Sequence, residues 1–121
     1  MTSVLALRGA TTLDVDEHDH LIVRVTELLG EMLERNGIDH DDLISIIFTA
    51  TEDVHSCFPA KAARMMGLGD VPLICARALD IEGGTPLCIR ILVHFNSELG
   101  RAELRHVYLE GASGLRDDLP E

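Results

Sequence analysis

The run Leu87-Cys88-Ile89-Arg90-Ile91-Leu92-Val93 constrains this chain most. It reads as a buried β-strand whose only charge is Arg90. An isolated cation in apolar surroundings costs on the order of several kcal/mol, so something negative must meet it. The flanking residues offer no carboxylate, and the anion has to come from elsewhere in the fold, from a partner or from a ligand. Alternation along a strand sets Ile89, Ile91 and Val93 on one face and Cys88, Arg90, Leu92 and His94 on the other. One face therefore meets an apolar layer, and Arg90 meets a second layer or a cleft. Glu103 and Glu110 are the candidate partners within the chain; an anion-binding site is the functional alternative.

The remaining elements are arranged around that strand. Ser3 to Arg8 reads as a first strand, broken at Gly9-Ala10-Thr11-Thr12. Asp14, Asp16, Glu17 and Asp19 mark an acidic helix start, which suits the helix dipole. Leu21, Val25, Leu28, Leu29, Met32 and Leu33 then recur at helical spacing up to Gly37, giving about five turns. Leu43 to Ala50 is β-branched and strand-like. Pro59 opens a short helix from Ala60 to Met66. Val71 to Ala76 is a third strand, which Pro72 confines to a sheet edge or to its own first residues. Glu82 to Pro86 turns into the Leu87–Phe95 strand, Arg105 to Leu109 forms a fifth, and Glu110 to Leu115 suits one helical turn. The order β-α-β-α-β-β-β implies a single α+β domain over residues 1–121, with helices on one face of a mixed sheet and residues 116–121 as a fraying tail. The sheet face left bare implies an oligomer.

Composition narrows the function. With 121 residues, 46% apolar and 26% charged, the chain is globular. A net charge of −11 argues against nucleic acid or an anionic membrane as a partner. No apolar run approaches the roughly 18 residues of a membrane span. Met1 to Arg8 lacks the pattern of a signal peptide, so the expected location is cytoplasmic. Three cysteines, Cys57, Cys75 and Cys88, share no paired spacing, which disfavours a disulfide framework or a zinc site. Nine arginines stand against a single lysine, Lys61. High-GC codon usage would produce that skew; so would bidentate carboxylate recognition, which arginine performs and lysine does not.

Several positions carry possible chemistry. Arg8 ends the first strand beside a glycine. Lys61 and Arg64 share one helical face, as a solvated face or as a basic rim with Phe58 for a wall. Tyr108, the only tyrosine, is either a core aromatic or a ligand contact. His18 and His20 lie two apart on a helix and do not share a face, so they do not suit a metal. No nucleophile motif, phosphate-binding loop or dinucleotide fingerprint is present. Catalysis here, if any, would run on positioning and electrostatics.

The segments Leu7-Arg8-Gly9-Ala10-Thr11-Thr12, Phe58-Pro59-Ala60-Lys61-Ala62-Ala63-Arg64, Cys88-Ile89-Arg90, Arg105-His106-Val107-Tyr108-Leu109-Glu110 and Leu115-Arg116-Asp117-Asp118-Leu119 together resemble the AroH-class monofunctional chorismate mutases. Order and spacing match from about Leu5 to Leu119. The resemblance implies a ferredoxin-like, chorismate mutase-like α+β fold that assembles as a homotrimeric pseudo-barrel with sites between subunits. It implies conversion of chorismate to prephenate, in the branch toward aromatic amino acids, with no cofactor and no metal. Arg90 would face the ether oxygen of the substrate, and Arg8 and Tyr108 would hold substrate carboxylate. Phe58, Ala60, Lys61 and Arg64 would come from the neighbouring subunit. Cys75 would lie near the substrate ring, Leu115 would pack over the pocket and Arg116 would close it.

One position departs from the family. A glutamate there usually bonds the ring hydroxyl of the substrate; the matching residue here is Ala78. One hydrogen bond is worth about 0.5–1.5 kcal/mol, and up to about 3 with a charged partner. Activity would then be roughly ten- to a hundredfold lower. Asp80, of the same strand parity, is a conceivable substitute. Two other readings compete with the enzyme: a non-catalytic or weakly catalytic dicarboxylate-binding trimer of the same fold, acting as a sensor, and a structural trimer held by arginine ion pairs.

Overall fold

A computed structural model of the chain describes residues 2–115. The Arg90 run forms the central strand of a five-stranded sheet. In chain order the elements are β1 (Ser3–Thr12), α1 (His18–Arg35), β2 (Leu43–Ala50), α2 (Ala60–Met65), β3 (Leu73–Arg77), β4 (Cys88–Ser97) and β5 (Val107–Tyr108). The strands lie in the order β3-β2-β4-β1-β5. β4 is antiparallel to both β1 and β2, while β3 is parallel to β2 and β5 is parallel to β1. The sheet is therefore mixed, and the fold is α+β.

Both helices cover one face. Ile89, Ile91, Val93 and Phe95 of β4 are buried there with Leu7 of β1 and with Ile46 and Phe48 of β2. Leu21, Val25, Leu28, Leu29 and Met32 of α1 and Ala62 and Ala63 of α2 close the same core. Each large aliphatic side chain so buried contributes about 1.5–3 kcal/mol. The opposite parity of β4 faces away from the helices, as the alternation requires, and Arg90 and Leu92 are only half-buried. Among the described residues no helix covers that second face, where Val4 and Ile74 are each 61% exposed.

Three elements differ from the sequence expectation. β1 does not stop at Arg8 but runs on to Thr12. Gly9 serves packing rather than a turn: it pairs with Ile91, and a Cβ added there would collide with the Met32 sulfur of α1. Its missing side chain lets helix and sheet approach closely. β3 begins only at Leu73, on the edge, where Pro72 can sit without donating; its carbonyl still accepts from the Ile46 amide at 3.0 Å. β5 has two residues instead of five, because Arg105 is paired sideways with a side chain. The Asn36 amide accepts from Arg105 N at 2.7 Å and donates to Arg105 O at 2.8 Å, imitating a strand neighbour.

Candidate active site

The sheet register assembles the site. Tyr108 pairs with Ala10, Ala10 with Arg90, Arg90 with Thr49, and Thr49 with Ala76. Paired residues share a face, so this row crosses the side of the sheet that carries no helix. Arg8 lies two residues before Ala10 on the same parity. Ala78 continues the parity of Ile74 and Ala76, its amide bonded to the Ala50 carbonyl at 3.0 Å. The chain after β3 folds over this row. It closes a cavity of about 590 Å³ lined by Arg8, Thr49, Thr51, Arg77, Ala78 and Arg90, with Leu79 and Ile81 as apolar cover.

The electrostatics of this cavity are one-sided. Three arginines line it, and among the described residues no carboxylate does. The intramolecular ion pair expected for Arg90 is not made with either candidate. Glu103 accepts from the Gly100 amide in its own turn at 2.8 Å, and Glu110 lies 3.9 Å from Arg24. Among the described residues no carboxylate lies within 4.0 Å of the Arg8 or Arg90 guanidinium. Arg90 Nε is buried with no hydrogen-bond partner among them. An unmade bond at a buried donor costs about 1–3 kcal/mol, so the fold holds this group at some expense in stability. Asp80 is not among the residues lining the Arg90 cavity; it lines an adjoining one of about 190 Å³ with Glu52 and Asp53, and Thr51, Leu79 and Ile81 border both.

Tyr108 is buried in a small cluster with Ala10, Cys88 and Ala112, on the Arg90 side of the sheet, and Leu115 packs against that cluster. The Arg8 amide donates to His106 Nδ1 at 3.0 Å, which ties β1 to the segment leading into β5. Arg116 lies outside the described residues, as does the expected tail 116–121.

The other sequence candidates gather elsewhere. Phe58 and Cys75 line a second cavity, of about 500 Å³, with Val54, Cys57, Pro59 and Ala76. Phe58 is 72% exposed, a large apolar ring left in solvent. Ala60 is buried in the core, so it offers a ligand little beyond its backbone. Lys61 Nζ lies 2.8 Å from His18 Nε2, while Arg64 is exposed with no ion pair among the described residues. Within one chain Phe58, Lys61 and Arg64 do not line the cavity of Arg8 and Arg90.

Two residues to which sequence reasoning assigned no role at the site, Asp16 as part of an acidic helix start and His18 as an unsuitable metal ligand, hold this second region. The Asp16 carboxylate accepts from the His55 and Ser56 amides at 2.8 and 3.0 Å, fixing the loop that delivers Phe58. The nearby Ser56 hydroxyl, and then these amides, outweigh desolvation and hold the Asp16 carboxyl below its ordinary range. His18 holds Lys61. No spacing rule in the chain announces either contact, because both join segments about forty residues apart.

The chemistry available is electrostatic. Burial pushes the Cys57 thiol up despite the opposing Lys61 and Arg64, so it does not make a thiolate nucleophile. Among the described residues no group of three or more His, Cys, Asp or Glu side chains is arranged for a metal ion. His18 and His20 have separate partners, Lys61 and Asp19 for the first and the Asp14 amide for the second. None of the described helices is long and apolar enough to cross a membrane.

Comparison with known proteins agrees with this geometry. Residues 4–119 match the family model of chorismate mutase type I. The chain is 44% identical over 117 residues to the chorismate mutase AroH of Thermus thermophilus, covering 96% of both chains. It is 35% identical over 117 residues to the chorismate mutase AroH of Bacillus subtilis (strain 168), covering 96% of this chain and 92% of the relative. A solved chorismate mutase from Clostridium thermocellum superimposes with a TM-score of 0.88 at 43% identity, over 90% of this chain and 97% of that one. The match to the family model along nearly the whole length and the identity to both relatives, alongside the cationic cavity, lead to one assignment: the chain belongs to the chorismate mutase type I family.

Proposed function

We propose that this chain rearranges chorismate to prephenate in the cavity around Arg90, as an isomerase in the supply of aromatic amino acids. One observation carries the placement: among the described residues, a half-buried arginine whose Nε has no hydrogen-bond partner faces a cavity with cationic but no anionic walls. The reaction is unimolecular. A C–O bond breaks while a C–C bond forms, and negative charge grows on the ether oxygen in between. A fixed guanidinium donor stabilises that charge more in the transition state than in the ground state, which is what accelerates a reaction. Arg8 and Tyr108 hold substrate carboxylate on the same side of the sheet, and Leu115 covers it. Substrate bound in a reactive conformer needs no acid, base or covalent step.

The site is completed by a second copy of the chain. Phe58, Lys61 and Arg64 lie outside the Arg90 cavity of their own chain, and the sheet face beside that cavity exposes Val4 and Ile74 with no helix over it among the described residues. A cyclic homotrimer that packs this face would bring the basic rim of one subunit, with Phe58 and Cys75, to the Arg90 cavity of the next. The working location is the cytoplasm. A non-catalytic dicarboxylate sensor is not favoured, since the family model and both curated relatives are named for the enzyme.

Subunit mixing tests the arrangement. Arg90→Ala chains and Lys61→Ala/Arg64→Ala chains are co-expressed with different tags, and loss of the chorismate diene absorbance is followed. Each parent assembly is deficient, yet about one site in four of a randomly mixed trimer regains both halves. Recovery toward a quarter of the unmutated activity supports a shared site; no recovery in proven heterotrimers rejects it.

A further inference from the structure

We propose that His18 is a positioning residue that holds the Lys61 ammonium for substrate carboxylate; this rests on the reading of α2 as the basic rim of the site. His18 is the first residue of α1 and Lys61 the second of α2, and the two helices pack together. His18 Nδ1 lies 2.9 Å from Asp19 Oδ1, and Nε2 lies 2.8 Å from Lys61 Nζ. An ionised carboxylate only accepts, so Nδ1 carries the proton toward Asp19. That leaves the Nε2 lone pair free, and an ammonium, which only donates, is its complement. With Lys61 as an ammonium, the pairing calls for the tautomer that carries its proton on Nδ1. Lys61 spends one of its three N–H donors on it and keeps two for a ligand.

The contact matters because of what lysine is. Its four-carbon stem is flexible, and ordering it at the moment of binding would weaken affinity. Anchoring Nζ to the start of an 18-residue helix settles much of that ordering beforehand. The same segment anchors the rest of the rim, since Asp16, two residues earlier, holds the His55 and Ser56 amides on the approach to Phe58. The stretch Asp16–Asp19, metal-like in composition, is thus a bracket for the half-site that a subunit offers its neighbour.

Steady-state kinetics with chorismate on the full chain test this, using Lys61→Ala, His18→Ala, His18→Gln and the His18→Ala/Lys61→Ala double variant. Lys61→Ala should raise KM about tenfold or more through loss of a charge-assisted contact. His18→Ala should raise KM roughly three- to tenfold with kcat within about twofold, because it touches no reacting atom. His18→Gln, whose amide oxygen still accepts from Nζ, should recover most of the loss. The double variant should be no worse than Lys61→Ala alone. A parent-like KM in His18→Ala, or losses that multiply in the double variant, would overturn the role of His18 while leaving the rim intact. A parent-like KM in Lys61→Ala would instead remove the reading of α2 on which the proposal rests.

Discussion

Ala78 stands where the family resemblance implies a glutamate, and placing a carboxylate there should improve the enzyme. The backbone at 78 is pinned to the Ala50 carbonyl, and its side chain shares a cavity with Arg8 and Arg90. Ala78→Glu therefore needs no backbone movement to reach the substrate. A hydroxyl bonded to a carboxylate is worth about 1.5–3 kcal/mol, against about 0.5–1.5 for a neutral acceptor. At about 1.4 kcal/mol per factor of ten, kcat/KM should rise roughly ten- to a hundredfold for Ala78→Glu and severalfold for Ala78→Gln. Both are measured by the initial rate of chorismate loss at substrate concentrations well below KM. Asp80→Asn should leave the rate near the parent value, since Asp80 lines the adjoining cavity and not that of Arg90. Equal rates for Glu, Gln and Ala at position 78, in variants that fold normally, would refute the argument. So would a large loss in Asp80→Asn, which would make Asp80 the hydroxyl partner.

Gly9→Ala should destabilise the chain by about 1–3 kcal/mol in denaturant unfolding, because its methyl meets the Met32 sulfur at a tightly packed helix–sheet contact. The Asp16 bracket gives stability a pH dependence: its carboxyl is depressed below 3.8, so its contribution is present above that value and lost as pH falls through the folded-state value. Thermal melts of parent and Asp16→Asn should differ from neutral pH down to about pH 4 and converge only as pH falls further, through the folded-state value; a constant gap would dissociate the hydrogen bonds from the charge.

Periodicity exposed the parts of the fold that local physics controls. The α1 stripe from Leu21 to Met32, the β2 span Leu43–Ala50 and the alternation about Arg90 all stand where the pattern put them. Gly9 was misread as a break because a glycine that ends a strand and one that admits a helix look alike without the helix. The five-residue β5 was overcalled because Asn36, distant in sequence, takes the Arg105 backbone. The site shows the same division. Arg90 was legible as a cation out of place, since burial and charge conflict within seven residues. His18 and Asp16 were not, because their partners Lys61, His55 and Ser56 become neighbours only after α1 and α2 dock. The proposal of a site shared between subunits comes only from resemblance to a family, since a single chain separates Phe58 and Lys61 from Arg90.

The central claim is that the fold keeps Arg90 for a charge that exists in the transition state rather than for its own stability. Arg90→Leu tests it most directly, by kcat with chorismate and by thermal unfolding of the ligand-free protein. Leucine keeps an apolar side chain on the strand and removes the orphaned Nε, so the variant should melt at or above the parent temperature. Loss of the donor should lower kcat by at least about 10²–10³-fold. A variant that turns over chorismate at nearly the parent rate, or one that loses activity only because it unfolds earlier, would contradict the account.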